Sequence, residues 1–110
     1  MKINKELMKG STVILILTLL ERKEMYGYEI AKEIEKNSDG IFTLKEGTMY
    51  PILHSLESNA FVESYWKEYD GRKRKYYRIT DEGLAHLRDK RKEWYVFRTA
   101  VDRIIGEEHA

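Results

Sequence analysis

Cysteine is absent, which removes disulfides, thiol catalysis and thiolate metal sites together. Proline occurs once, as Pro51, so only one position in the chain is barred from an ordinary helix or strand interior by its ring. The three histidines, His54, His86 and His109, stand at no metal-ligand spacing. Neither a glycine-rich phosphate loop nor a nucleophile elbow is present, so no catalytic residue, cofactor or metal is expected. The net charge is only +1, which argues against a protein that coats nucleic acid indiscriminately. Specific binding stays open, because the basic residues are locally concentrated. The longest apolar run, Val13 to Leu20, is far short of the roughly 20 residues that span a bilayer. Lys2, Lys5 and Lys9 precede it as in a signal peptide, but Glu21-Arg22-Lys23 follows directly without a small-residue cleavage site. The expectation is a cytoplasmic protein with no membrane association.

What is present is one stretch on which the rest is organised. In Thr43 to Ser58, Met49, Ile52, Leu53 and Leu56 fall at the spacing that gathers apolar side chains on one helix face. The opposite face carries Thr48, Ser55, Ser58 and, at its edge, His54, where a solvated helix usually shows Lys and Glu. Phe61 to Thr80 follows, rich in aromatic and β-branched residues and split by Asp70-Gly71. That dipeptide between strand-like runs signals a tight hairpin, because the favoured turn needs positive φ at both central residues. The returning strand opens with Arg72, Lys73, Arg74 and Lys75, and no acid comes before Arg78. A polar-faced helix joined to a basic aromatic hairpin is the outline of a winged helix-turn-helix, whose second helix enters the major groove.

The remaining segments fit around that pair. At 110 residues, with 42% hydrophobic and 35% charged, the chain has the size and composition of one domain with long solvated helices. Residues 4–22 read as a first helix whose second half is apolar almost all round. Such a helix is either the central core helix or part of a dimer interface. Tyr26 to Lys36 reads as the second helix, and Gly27 within it predicts a close helix contact, since glycine costs helix stability. Asn37-Ser38-Asp39-Gly40 ends it, and Ile41-Phe42-Thr43 is expected as a short strand pairing with the hairpin. The third helix starts near Gly47 or Thr48 if Pro51 lies in its first turn; a start nearer Lys45 would place Pro51 inside it. Thr80 is a good N-cap for a last helix reaching about Glu107, with Asp81 and Glu82 in its first turn. That helix would be about 40 Å long, and Trp94, Phe97, Val101 and Ile104 on it follow the step of a helix–helix seam. Half of this stripe would lack a partner in a domain so small, which points to self-association.

Tyr26–Glu35 (YGYEIAKEIE), Glu46–Glu57 (EGTMYPILHSLE) and Gly71–Gly83 (GRKRKYYRITDEG) resemble the PadR family of bacterial transcriptional regulators, in order and over nearly the whole chain. The short end after one C-terminal helix resembles the small subfamily that lacks a larger effector domain. The resemblance implies homodimeric winged-helix proteins, mostly repressors at inverted-repeat operators, in which the last helix, helped by the first, forms the dimer. It also implies that Thr48, Tyr50 and the wing residues Arg72 to Lys75 lie at the DNA surface. Some small members sense aromatic drugs or phenolic compounds through a tryptophan between paired C-terminal helices, for which Trp94 is the nearest counterpart.

The expected fold class is therefore α+β, mainly α. Residues 1–80 form the winged helix-turn-helix with its N-terminal helix, and residues 81–110 the long C-terminal dimerisation helix, in one compact unit. The recognition surface is expected to comprise Lys45, Thr48, Tyr50, His54, Ser55, Arg72, Lys73, Arg74 and Lys75, bound to double-stranded DNA. For Tyr50 the plainer alternative is packing beneath the wing, and for the wing cations a solvated turn. Leu15, Leu87, Trp94, Phe97, Val101, Ile104 and Ile105 are expected at the homodimer contact. Trp94, Tyr95 and Phe97 line either a slot for a small aromatic or phenolic effector or simply the dimer core. The rival reading is a winged helix used for protein contact, an anti-activator or adaptor. A MarR-like regulator would carry additional helices on both sides of the wing domain.

Overall fold

The Asp70-Gly71 turn sets the sheet. Both residues have positive φ, 54° and 76°, as the tight hairpin turn requires. β2 (Val62–Tyr69) and β3 (Arg72–Ile79) consequently pair in register from Tyr69↔Arg72 down to Val62↔Ile79. The computed structural model describes residues 3–106. Within them the third strand is β1 (Met25–Tyr26), antiparallel to β3 on the edge away from β2.

This corrects the expected pairing of Ile41-Phe42-Thr43. Those residues form no strand because Ser38 takes up their amides: Ile41 N–H donates to the Ser38 carbonyl at 3.0 Å and Phe42 N–H to its Oγ at 3.0 Å. Phe42 instead packs its ring onto the core.

The first helical segment is also two helices, α1 (Lys5–Lys9) and α2 (Thr12–Arg22). Glycine at position 10 weakens a continuous helix, and the Ser11 and Thr12 hydroxyls both donate to the Met8 carbonyl, at 2.9 and 3.2 Å. α2 is the central core helix, with Ile16, Leu17, Leu19 and Leu20 buried and Val13, Ile14 and Leu15 half-buried against the same core.

α3 (Gly27–Asn37) and α4 (Glu46–Ser58) form the helix pair, and α5 (Asp81–Ile105) follows the wing. α4 begins at Glu46, so Pro51 lies inside it and removes the rung that would reach the Gly47 carbonyl. Pro51 is exposed, which leaves that carbonyl on the solvent side. Met49, Leu53 and Leu56 are buried from α4, with Ile30 and Ile34 from α3 and Val62 and Tyr77 from the sheet.

α5 is capped by Thr80, whose Oγ1 accepts from Gly83 N–H at 2.9 Å, and is closed by Gly106 in the left-handed region. The expected end at Glu107 lies outside the described residues. Only its first turns join the core. Leu87 is 0% exposed there, so it belongs to the packing of the single chain and is removed from the expected dimer contact. Arg91 makes the last tie, donating to Thr18 Oγ1 and Glu21 Oε1 of α2 at 3.2 and 2.9 Å. Beyond it α5 extends the molecule to 53 Å in its longest dimension.

α4 ends in a Schellman motif: Phe61 N–H donates to the Leu56 carbonyl at 2.9 Å and Ala60 N–H to that of Glu57 at 3.0 Å. This puts Ala60 at φ 63°, where an L side chain is strained. Ala60→Gly should raise stability by about 0.5–1 kcal/mol, read as a higher midpoint in urea at unchanged m-value.

Candidate nucleic-acid interface

Two elements, α4 and the hairpin, meet at one surface, and each presents what its sequence pattern prescribes. With its apolar residues turned inward, α4 exposes Thr48, Pro51, His54, Ser55 and Ser58, and Lys45 is exposed at its N-cap. The hairpin alternation puts Ser64, Trp66, Glu68, Lys73, Lys75 and Tyr77 on the sheet face shared by the buried Val62. Between these elements and the start of α3 lies an open groove of about 360 Å³. Tyr50, His54, Trp66, Lys73, Arg74 and Lys75 are among its lining residues, and among the described residues no carboxylate is.

Tyr50 is half-buried against the core. Its ring lies over Gly27: a Cβ built there would stand 2.5 Å from the Tyr50 hydroxyl oxygen and 2.9 Å from Cζ. The close contact expected at Gly27 is thus made by this tyrosine. The Tyr50 ring packs against α3 and lines the groove at the same time.

The four wing cations are not equivalent. Arg72 and Lys73 are exposed, with no side-chain partner among the described residues. Arg74 is half-buried with its guanidinium 4.4 Å from the centre of the Tyr26 ring. Lys75 lies 5.8 Å over the Tyr77 ring and 3.8 Å from Glu57, which also accepts a hydrogen bond from Ser64 and partly offsets that charge. On the opposite face of the wing, the Tyr65 hydroxyl donates to Glu24. That hydrogen bond is the first cause of a tyrosine pKa raised above its ordinary value, with desolvation second.

Of the nine expected recognition residues, Tyr50, His54, Lys73, Arg74 and Lys75 converge on the groove. Lys45, Thr48 and Ser55 lie along the exposed side of α4, and Arg72 stands at the wing tip. Trp66, 68% exposed in the groove wall, was missed, as were Tyr26 and Tyr28. A signal for Trp66 existed: a two-residue loop at Asp70-Gly71 pairs it with Lys75.

Far from the groove, α5 carries Trp94, Phe97, Val101, Ile104 and Ile105, all exposed. The Trp94 and Phe97 rings stack 5.9 Å apart. Tyr95 projects about 100° round the helix from Trp94 and packs with Arg98, so it does not share their face. Leu15 is half-buried on α2. Among the described residues, no helix is long and apolar enough to cross a membrane.

A polar-faced helix beside a basic antiparallel hairpin defines a winged-helix DNA-binding protein, and the relatives agree. The Transcriptional regulator PadR-like family matches residues 16–89. A PadR family transcriptional regulator from Eggerthella lenta, solved by crystallography, superimposes with a TM-score of 0.82 at 34% identity, over 94% of this chain and 88% of that one. The structure of a transcriptional regulator from Clostridium thermocellum gives 0.84 at 35%, over 89% and 96%. A transcriptional regulator of Mycobacterium tuberculosis is 30% identical over 88 residues, 80% of this chain and 79% of the relative. The chain belongs to the PadR-like family. It is a DNA-binding transcriptional regulator and not an enzyme.

Proposed function

We propose that the chain acts in the cytoplasm as a homodimeric repressor of an inverted-repeat operator. The observation that carries this reading is the groove between α4 and the wing, rich in cations and rings and free of carboxylates. α4 would enter the major groove with Thr48, His54 and Ser55 at base edges or phosphates. Lys45, Tyr50 and the wing cations would hold the flanking backbone. Residues 1–80 supply the reading unit, while residues 81–110 join two copies through the exposed stripe of Trp94, Phe97, Val101, Ile104 and Ile105, and half-buried Leu15 of α2 would add to that contact. The stacked Trp94 and Phe97 rings offer a planar aromatic or phenolic effector a surface at that junction.

The test is footprinting on the DNA upstream of the protein's own reading frame, with and without planar cations and phenolic acids. Protection of two half-sites about 34–36 Å apart is expected, and loss of protection on adding an effector would mark release. A chain that shifts no upstream DNA at physiological salt would instead be a protein-contact adaptor.

Lys73, exposed and unpaired among the described residues, supplies a sharper measurement. Lys73→Ala should weaken binding to operator and unrelated duplex alike and reduce the salt slope by about 1. An unchanged slope removes Lys73 from the phosphate contacts.

A further inference from the structure

The hairpin register sets two like charges directly across from each other: Lys67 faces Arg74. Cross-strand cations repel and destabilise a sheet unless something separates them. Here two tyrosine rings do so. Lys67 lies over Tyr76, 5.3 Å from its centre, and lines a cavity on the α2 side of the wing. Arg74 lies over Tyr26 at 4.4 Å and lines the groove beside α4. Tyr26 is itself fixed: it pairs with Tyr76 in the sheet, its ring meets that of Tyr76 edge-on at 5.4 Å, and its backbone leads directly into the first turn of α3. A ring on the edge strand thus decides the side to which Arg74 turns.

The arrangement leaves the guanidinium face occupied and its edges unspent. Arg74 makes no hydrogen bond or ion pair to a protein group among the described residues. A guanidinium stacked on a ring keeps its planar fork of N–H donors for a two-point acceptor, which an ammonium cannot match. At the mouth of a groove that no carboxylate lines, the acceptor of matching chemistry is a backbone phosphate.

We propose that Tyr26 is a positioning residue for DNA binding, its ring holding Arg74 for two-point capture of one phosphate by the wing. The proposal rests on the reading of α4 and the wing as the DNA-facing surface.

The experiment titrates the full-length protein on its upstream operator fragment over a range of salt, with oligomeric state and thermal midpoint followed alongside. Arg74→Ala should weaken binding about tenfold and lower the salt slope by about 1. Arg74→Lys, which keeps the charge but loses the fork, should weaken it about fivefold with the slope unchanged. Tyr26→Leu should match Arg74→Lys, and Tyr26→Phe should bind within about twofold of the parent, because the ring and not the hydroxyl does the holding. The double variant Tyr26→Leu/Arg74→Ala should bind no worse than Arg74→Ala alone. Multiplicative losses in the double variant, or an Arg74→Lys protein that binds like the parent, overturn the positioning role even if Tyr26→Leu has also lost stability. Parent protein that fails to bind the fragment at all overturns the DNA-facing reading, and this inference with it.

Discussion

Gly83→Ala should cost about 3 kcal/mol of stability and lower the thermal midpoint by about 15 °C, although alanine is the better helix former by about 1 kcal/mol. The site is the third residue of α5 and is buried. A Cβ built there falls on the Phe61 carbonyl oxygen, with Ile79 Cγ1 at 2.7 Å and the Phe61 carbonyl carbon at 3.0 Å. The isoleucine can adjust; the backbone cannot move cheaply. Phe61 O accepts from Thr80 N–H at 3.1 Å, and Phe61 N–H closes the end of α4 at 2.9 Å. Thr80 Oγ1 holds the same corner from the other side by donating to the Ala60 carbonyl at 2.6 Å. Displacing this carbonyl therefore disturbs the end of α4, the root of the wing and the first turn of α5 together. Thermal melts followed by far-UV circular dichroism, at one protein concentration, measure the effect. An unchanged midpoint would mean that α5 does not dock on the 60–61 corner as described.

That glycine shows where legibility in the sequence stopped. Local rules located the elements, because each rests on neighbours in the chain: Asp70-Gly71 on the positive φ it needs, Thr80 on the amide it accepts, the α4 stripe on helical spacing. Gly83 lies inside the motif that carries the family resemblance, yet its reason is a carbonyl more than twenty residues earlier, and spacing says nothing of that. The third strand failed similarly. Met25-Tyr26 and Ile41-Phe42 are both short apolar pairs, and the choice between them was made by the Ser38 hydrogen bonds and by the ring packing of Tyr26 on Tyr76.

Five of the nine residues expected at the recognition surface line the groove, but their arrangement there was not legible in the sequence. Four consecutive wing cations look alike in sequence. In the fold, Arg74 rests on Tyr26, Lys75 leans toward Glu57, and Arg72 and Lys73 stand in solvent. Side alternation could have separated Lys73 and Lys75 from Arg72 and Arg74, since the turn fixes the register. What no pattern could supply was the identity of the rings that receive them. Leu87 was misassigned for a related reason: it stands seven residues before Trp94, on the same side of α5, and only the docking of α5 on α2 shows that it is buried within the single chain.

The exposed half of that stripe carries the second large effect. Val101→Glu/Ile104→Glu should leave the winged-helix unit folded and convert the protein to a monomer at micromolar concentration. Ile104 is 86% exposed in the single chain and Val101 37%, so neither side chain holds the domain core together. At a paired α5 seam, however, each carboxylate would be desolvated without a partner, and the cost of an unpaired buried charge exceeds what a short helical contact can offset. Operator affinity should then fall by at least about 100-fold, because the second half-site is no longer bound at the high effective concentration that the first provides. A single half-site duplex serves as the control. Its affinity should be unchanged, since α4 and the wing are untouched, and this separates lost linkage from lost contact. Sedimentation or light scattering reads the assembly, and titration on full and half operators reads the binding. A double variant that stays dimeric would place the self-contact elsewhere on the chain. One that becomes monomeric yet keeps full operator affinity would show that the two reading helices need no connection, against the symmetry argument on which an inverted-repeat site depends.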